Sequence, residues 1–143
     1  LGTSATMIAM MMRGRFPLVP NVAFAAVDVR DVAAAHVAAL GASQAVGRRF
    51  VLSGGTRSLR EIGAILAASH PAYAGRMPRG TIPDGLVRAL ATVCPPLRQI
   101  LPELGARKSF DCRPAEDILG IPLRSPEKAV VALADSLVAL GCV

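Results

Sequence analysis

The sequence predicts an α/β domain that is rich in helix and has few short strands. Three observations support this fold class. The hydrophobic periodicity of residues 22–40 changes from two to about four at Asp31, which indicates a strand running directly into a helix. Ser58 and Glu61 have the S-x-x-E spacing of a capping box at a helix start. Residues 125–128, Ser-Pro-Glu-Lys, open a last helix with a hydroxyl N-cap and a proline at the first position.

The 143 residues suffice for one domain, and we expect residues 1–143 to form a single unit. Apolar residues make up 52% of the chain and aromatic residues only 3%, so the core must be aliphatic. The longest stretch without a formal charge, residues 32–47, is shorter than the ~20 residues of a membrane-spanning helix, so no membrane partner is predicted. The high apolar content instead predicts a surface that a partner covers.

The net charge of +6 raises nucleic acid as a partner class. The basic residues occur as separated pairs without interleaved aromatic residues, so solvated arginines are the preferred interpretation and no nucleic acid is predicted. The three cysteines are widely spaced and odd in number, which predicts neither a zinc site nor a disulfide framework. Free thiols are typical of a reducing compartment, and we expect a cytoplasmic protein.

The first helix is predicted over residues 3–13, with a capping hydroxyl from Thr3 or Ser4. Residues 22–30 are predicted as a strand, followed by a helix to Leu40 with Asp31 as its N-cap. Three residues of this second helix are expected on its packed face: Val32, His36 and Leu40.

The rest of the chain is divided by glycine and proline. Residues 15–20 are predicted as a loop, and residues 75–83 are predicted as extended or looped. Strands are predicted over residues 48–53 and 108–112. Helical segments are predicted over residues 58–69, 83–93, 97–104, 114–119 and 125–140.

Three ordered motifs carry a family resemblance. They are Val-Asp-Val-Arg-Asp-Val-Ala-Ala-Ala-His at 27–36, the strand and helix start at 50–62, and Ile-Leu-Gly-Ile-Pro-Leu-Arg-Ser-Pro-Glu-Lys-Ala at 118–129. Their order and spacing resemble the extended short-chain dehydrogenases, the NAD(P)-dependent epimerase, dehydratase and dihydroflavonol-reductase-like group. The resemblance implies the C-terminal, substrate-side portion of a Rossmann-type fold.

The same resemblance shows what the sequence lacks. The family holds NAD or NADP with a glycine-rich turn, and Gly54-Gly55, the nearest candidate, lacks the third glycine. The family also uses a tyrosine with a lysine four residues later, but Tyr73 has Met77 at that offset. We therefore predict no catalytic and no cofactor-binding residues, no cofactor for this chain alone, and an absent N-terminal cofactor-binding half.

Other candidate side chains favour structural roles. Asp28 and Asp31 resemble a strand residue and a helix cap more than an acid–base pair, and neither His36 nor His70 has a metal ligand at a suitable spacing. Three methionines are candidates for a substrate pocket because their side chains are flexible and polarizable, with core packing as the preferred alternative: Met7, Met10 and Met11.

The leading hypothesis is the substrate-side portion of an NAD(P)-dependent oxidoreductase. It would act on the carbonyl or hydroxyl group of a small molecule, as dihydroflavonol reductases do, and be inactive as an isolated chain. Its partner would be the missing Rossmann half. The alternative hypothesis is a non-catalytic module derived from this family, which uses its apolar face to dimerise or to dock on a partner.

Overall fold

The computed structural model describes residues 2–143 and confirms the helix-rich α/β fold class. These residues form seven α-helices, four short strands and three 3-10 turns. The helices are α1 Thr3–Met12, α2 Val29–Gly41, α3 Leu59–Ser69, α4 Asp84–Leu90, α5 Pro95–Ile100, α6 Arg113–Leu119 and α7 Pro126–Ala139. The strands are β1 Leu18–Pro20, β2 Ala23–Ala26, β3 Gly55–Ser58 and β4 Gly80–Ile82.

The strands form two separate pairs. Strand β1 lies parallel to β4, with Val19 opposite Thr81, and β2 lies antiparallel to β3, with Ala25 opposite Thr56. Helix α3 begins directly after β3, and α2 begins shortly after β2. Because β2 and β3 run in opposite directions, the N-termini of α2 and α3 leave opposite ends of the same strand pair.

Helices α1, α3 and α7 pack together with strand β1 around a large hydrophobic cluster, here called the main core. Its side chains are bulky and come from both ends of the chain, so its burial supplies most of the hydrophobic stabilisation. The members with the least exposure include Ile8, Met11, Met12, Val19, Val22, Leu66, Val87 and Leu137.

A second, smaller cluster joins α2 to α6 and is here called the alanine cluster. Ala35, Ala115 and Leu119 are its buried members, and Phe50 and Leu52 pack against it from the loop before β3. Alanine side chains bury little area each, so this cluster contributes much less hydrophobic stabilisation than the main core.

Two of the predicted helix starts, those of α3 and α7, are confirmed. The Ser58 hydroxyl accepts a hydrogen bond from the Glu61 backbone N–H at 3.2 Å, and the Glu61 carboxylate accepts one from the Ser58 N–H at 2.6 Å. Ser125 is the N-cap residue of α7 and Pro126 its first residue, as predicted, but the Ser125 hydroxyl makes no capping hydrogen bond. Helix α6 ends at Gly120 in the left-handed conformation, with φ of +65°. The capping hydroxyl predicted for α1 is wrong, since Gly2 is its N-cap.

The strand predictions were less successful. Residues 48–53 and 108–112 contain no strand, because no other segment among residues 2–143 pairs with them. Conversely, β1 lies within residues 15–20, which were predicted as a loop. Its parallel partner β4 is about sixty residues away along the chain, so local periodicity could not reveal the pair.

The start of α2 also corrects a prediction. Asp28, not Asp31, is the N-cap, because the strand ends at Ala26 and the helix begins at Val29. This earlier start means that Asp31 lies in the first helical turn and faces inward with Ala35. His36 is therefore exposed, and its ring Nδ1 lies 2.7 Å from the carbonyl oxygen of Val32. The expectation that His36 and Leu40 lie on the packed face is wrong.

Candidate functional site

Asp28 lies at the junction of strand β2 and helix α2, where its side chain is only 4% exposed. Its carboxylate accepts hydrogen bonds from the Arg30 backbone N–H at 2.9 Å and from the Arg30 guanidinium at 2.8 and 2.5 Å. The Arg30 side chain beside it lowers the pKa of Asp28 from 3.8 to about 2, against the opposing effect of burial. Asp28 therefore caps the helix as a stable carboxylate.

Asp31 connects α2 to the segment that precedes α7. Its carboxylate is 2% exposed and accepts a hydrogen bond from the Arg124 backbone N–H at 2.7 Å, while the Arg124 guanidinium binds its other oxygen. Both aspartates thus engage arginines from opposite sides of one helix start. The two carboxylates hold the backbone in place, which agrees with the structural interpretation of the pair.

Gly54-Gly55, the nearest candidate for a phosphate-binding turn, lies at a tight backbone contact. The Gly54 N–H donates to the Ala26 carbonyl oxygen at 2.8 Å, and a Cβ at Gly54 would collide with the Arg124 carbonyl oxygen. Gly55 has φ of +133°, a conformation that favours glycine. The glycines are explained by backbone packing, and their N–H groups are not free for an anion, since that of Gly54 donates to Ala26 and that of Gly55 donates to the Ser53 hydroxyl.

The surface beside these glycines is basic, but its charges are balanced. Arg57 contacts Glu127 at 2.5 Å, Arg107 contacts Glu61 at 2.9 Å, and Lys108 contacts Glu103 at 2.5 Å. These three ion pairs neutralise the shallow depression lined by residues 53–57 and 107–110. An incoming anion would have to displace a carboxylate at each position.

An apolar cleft lies between α1, β2, α3 and α7 and is the best candidate for a ligand site. Its volume is about 360 Å³, within the range of small-molecule sites. Apart from Thr3 and Ser4 at the start of α1, every lining residue is apolar. The larger lining side chains are Met7, Ile8, Phe24, Ile62, Val130 and Leu133.

The cleft separates the three methionine candidates. Met7 lines it directly, whereas Met11 is fully buried at 0% exposure in the main core. Met10 is half-buried and does not line the cleft. Phe24 and Leu133 were not singled out from the sequence. The cleft brings them together from β2 and α7, which lie more than a hundred residues apart in the sequence. The one local signal of the cleft in the sequence was an apolar residue on the exposed face of β2.

His70 and Tyr73 lie at the C-terminal end of α3. His70 Nε2 is 3.1 Å from the Asp135 carboxylate, and its Nδ1 is 2.9 Å from the Ser69 hydroxyl oxygen. Tyr73 meets the His70 ring edge-on and lies 5.2 Å from the Arg76 guanidinium. These contacts connect α3 to α7. Within residues 2–143, no group of three or more His, Cys, Asp or Glu residues is arranged to hold a metal ion.

The helices also bear on membrane insertion. Among the residues that the structure describes, no helix combines the length and apolar character needed to cross a bilayer.

Sequence comparison adds one curated relative. The ketoreductase azaE of Aspergillus niger is 38% identical over 81 residues, which are 57% of this chain and 23% of that protein. No protein-family model matches the chain.

Structural comparison covers nearly the whole chain. Yeast Gre2, a methylglyoxal/isovaleraldehyde reductase solved with NADPH, matches 100% of this chain with 38% of its own, at a TM-score of 0.67 and 20% identity. The protein gox2253 matches 99% of this chain with 45% of its own, at a TM-score of 0.77 and 19% identity. Gre2 from Candida albicans matches 99% of this chain with 38% of its own, at a TM-score of 0.70 and 22% identity. The predicted resemblance to the extended short-chain dehydrogenases is confirmed.

The matches cover nearly all of this chain but only part of each matched structure. The chain spans less than half of each of these solved structures and about a quarter of the curated ketoreductase. This partial coverage fits the C-terminal half that the motifs predict.

Proposed function

We propose that this chain is the substrate-side portion of an NADPH-dependent reductase that acts on the carbonyl group of a small molecule. One observation carries the proposal: a fold match over the whole chain to reductases solved with NADPH, joined by 38% identity to a ketoreductase over 81 residues. The three half-buried free cysteines are compatible with a cytoplasmic location, which we propose with it.

The residues of this chain do not fit a nicotinamide cofactor by themselves. A dinucleotide requires free backbone N–H groups that approach its pyrophosphate closely, and those of Gly54 and Gly55 already donate to Ala26 and Ser53. The only tyrosine, Tyr73, contacts His70 and Arg76, and Met77 stands four residues after it. The cofactor would therefore be held by another portion of the reductase, with this chain shaping the substrate side.

The apolar cleft supports a substrate with an apolar group next to its carbonyl. No charged residue lines the cleft, so nothing in it would compensate the desolvation of a charged substrate. Phe24 offers an aromatic surface and Met7 an adaptable one. This lining suits an apolar group beside the carbonyl, and a dihydroflavonol, the substrate class that the sequence motifs imply, would find side-chain partners for its hydroxyl groups only in Thr3 and Ser4.

The function is tested with a chimera in which this chain replaces the matched portion of yeast Gre2. We expect the chimera to oxidise NADPH in the presence of isovaleraldehyde, because it unites a cofactor-binding portion with this substrate side. The isolated chain should show neither turnover nor NADPH binding in calorimetric titration. Micromolar NADPH binding by the chain alone, or a folded chimera without turnover, would contradict the proposal.

The pocket role of Met7 is tested by substrate preference in the same chimera. We expect Met7→Ala to raise KM for a branched aldehyde such as isovaleraldehyde about tenfold and to leave kcat nearly unchanged, because it removes contact area without touching a reacting atom. Met10→Ala is the matched control, since Met10 lies on the same helix outside the cleft. Equal KM values for the two variants would exclude a pocket role for Met7.

The second candidate is a non-catalytic module that forms homo-oligomers. The observation that favours it is the exposed apolar side of α2, which includes Val37 and Leu40. Light scattering of the isolated chain distinguishes the two candidates, because the module should be dimeric at concentrations where a reductase portion is monomeric.

A further inference from the structure

Two pairs of arginines that are separate in the sequence are brought together by the fold. The first pair, Arg13 and Arg15, flanks Gly14 where the chain leaves α1. Gly14 has φ of +74° and lies against Arg76 of the second pair, since a Cβ added at Gly14 would come within 3.3 Å of the Arg76 Cβ. Arg79 completes the second pair three residues later. These four arginines are here called the arginine patch.

Hydrogen bonds of the backbone fix the two segments of the arginine patch to each other. The Arg79 N–H donates to the Pro17 carbonyl oxygen at 2.9 Å, just before β1 and β4 pair in parallel. The Arg15 N–H donates to the Met10 carbonyl oxygen at 3.0 Å and so fixes the turn to α1. The arginines are therefore carried by ordered backbone, and little backbone entropy would be lost when a ligand binds.

The charges of the arginine patch are not balanced. All four residues are exposed, and none of them forms an ion pair with another residue in the part of the chain that the structure describes. The basic surface beside Gly54-Gly55 differs, because each of its three cations contacts a carboxylate. A surface with charges of one sign attracts the opposite charge, so the arginine patch favours an anionic partner.

The surroundings of the arginine patch disfavour nucleic acid. Single-stranded nucleic acid binds where bases stack on free aromatic rings beside the cations. Tyr73 is the aromatic residue at the patch, but the Arg76 guanidinium lies 5.2 Å from its ring centroid and His70 meets the ring edge-on. These contacts occupy the ring, which disfavours stacking of a base on it.

A lipid surface and a second copy are disfavoured as well. Attachment to a membrane needs apolar side chains that enter it beside the cations. Met11 and Met12, which precede the patch, are 0% exposed, and Leu18 after it is 48% exposed and offers little apolar area. A second copy would carry the same net charge of +6, which opposes its approach.

We propose that the arginine patch binds an acidic peptide segment of another protein. The guanidinium group of arginine is a planar fork that matches a carboxylate, and arginine clusters recognise acidic motifs in this way. The patch lies beyond the C-terminal end of α1, whereas the apolar cleft is lined by residues at the start of α1, including Thr3 and Met7. The inference therefore goes beyond the proposed function and does not depend on it.

The first test uses Tyr73 as an internal reporter, because it is the only tyrosine and the chain has no tryptophan. Octaglutamate, which has no aromatic residue, is titrated into the full chain at low salt. We expect a saturable change in tyrosine emission, because a carboxylate that binds Arg76 alters its contact with the ring. The affinity should fall at higher salt. The absence of a saturable change, or an affinity that salt leaves unchanged, would overturn the proposal.

The second test compares two double variants that remove the same charge. Arg13→Gln/Arg15→Gln alters the patch, whereas Arg48→Gln/Arg49→Gln alters two exposed arginines near the alanine cluster. We expect the first to weaken octaglutamate binding about tenfold and the second less than about twofold, because only the first removes direct ion pairs. Circular dichroism checks the fold of both variants. Equal weakening would show a response to net charge alone and would overturn the patch.

Two further probes test the occupant. Vesicles of phosphatidylcholine with phosphatidylserine, and oligouridylate, are each titrated into the chain and into Arg13→Gln/Arg15→Gln. Weaker binding of both probes than of octaglutamate would support an acidic protein segment. Tighter binding of either probe, lost in the variant, would assign the patch to lipid or to nucleic acid and so overturn the chosen partner.

Discussion

The main core and the alanine cluster differ in how completely they bury their helices. The main core encloses large side chains such as Met11 and Leu66 between α1, α3 and α7. The alanine cluster covers only the inner side of α2 with small side chains and leaves the outer side open. The difference teaches that the first region can fold by its own burial, whereas the second depends on attachment to neighbouring elements.

The largest expected effect contrasts one leucine from each region. Leu66→Ala should lower the free energy of unfolding by about 3 kcal/mol, because the side chain is fully buried among bulky neighbours. Leu119→Ala should cost about half as much, since it lies at the edge of a small cluster. Urea unfolding of both variants measures the difference, and equal losses would show that the two regions are equally well packed.

The next largest effect is expected from weakening the contact that attaches α2 to the segment before α7. Asp31→Asn should lower the free energy of unfolding by about 2 kcal/mol, because it removes the charge of the acceptor and places an amide NH2 against one of the two Arg124 donors. Asp135→Asn, at a solvent-exposed aspartate, is the control and should change stability by less than about 0.5 kcal/mol. Comparable losses in thermal unfolding would mean that the Asp31 contact does not hold the regions together.

Acid should weaken both regions through carboxylates held by donors. The pKa of Asp28 is lowered from 3.8 to about 2 by Arg30, and that of Glu61 is lowered from 4.5 to about 2 by the Ser58 N–H and then Arg107. The stability that these two carboxylates add to the folded protein is therefore complete above their ordinary pKa values of 3.8 and 4.5, and it is lost as the pH falls through about 2.

For Asp28 the predicted acid loss is about 2 kcal/mol, since its side chain is almost completely buried. Asp28→Asn should remove that part of the pH dependence, whereas Asp117→Asn, at an exposed position, should leave it unchanged. Urea unfolding at about pH 5 and about pH 2.5 is the measurement, and identical pH profiles for the two variants would contradict it.

The smallest expected effect concerns the N-termini of α1 and α3, two helices that pack around the main core. Ser58→Ala should cost about 1 kcal/mol, because it breaks the capping box of α3. Ser4→Ala should cost almost nothing, since the N-cap of α1 is Gly2 and Ser4 makes no capping hydrogen bond. Thermal unfolding distinguishes them, and a larger loss for Ser4 would restore the hydroxyl cap that the sequence had indicated.

The sequence predicted the helices better than the strands, for a physical reason. The start of α3 depends on Ser58 and Glu61, three residues apart, so its signal is local. Strand β1 exists only because Gly80–Ile82 lies beside it, and residues 48–53 lack such a neighbour. Periodicity describes which side chains can be buried, but a strand also needs a second backbone.

The candidate site was predicted in part. Met7 was singled out for its chemistry and does line the cleft, but Met11 has the same chemistry and lies in the main core. The partners Phe24 and Leu133 come from elements that meet only in the folded chain. Asp31 was predicted as the N-cap of α2, three residues after the observed N-cap Asp28. Its hydrogen bond to Arg124 joins residues 93 positions apart, so no local sequence pattern could predict it.

Contact between the first helix and the last has a consequence for biosynthesis. Helix α1 packs against α7 in the main core, so the residues of α1, which leave the ribosome before those of α7, must wait for them before they are buried. During that interval the methionine-rich surface of α1 is open to chaperones and to aggregation. A premature stop codon before Pro126 would therefore leave α1 without its partner, and the truncated product would be a substrate for proteolysis.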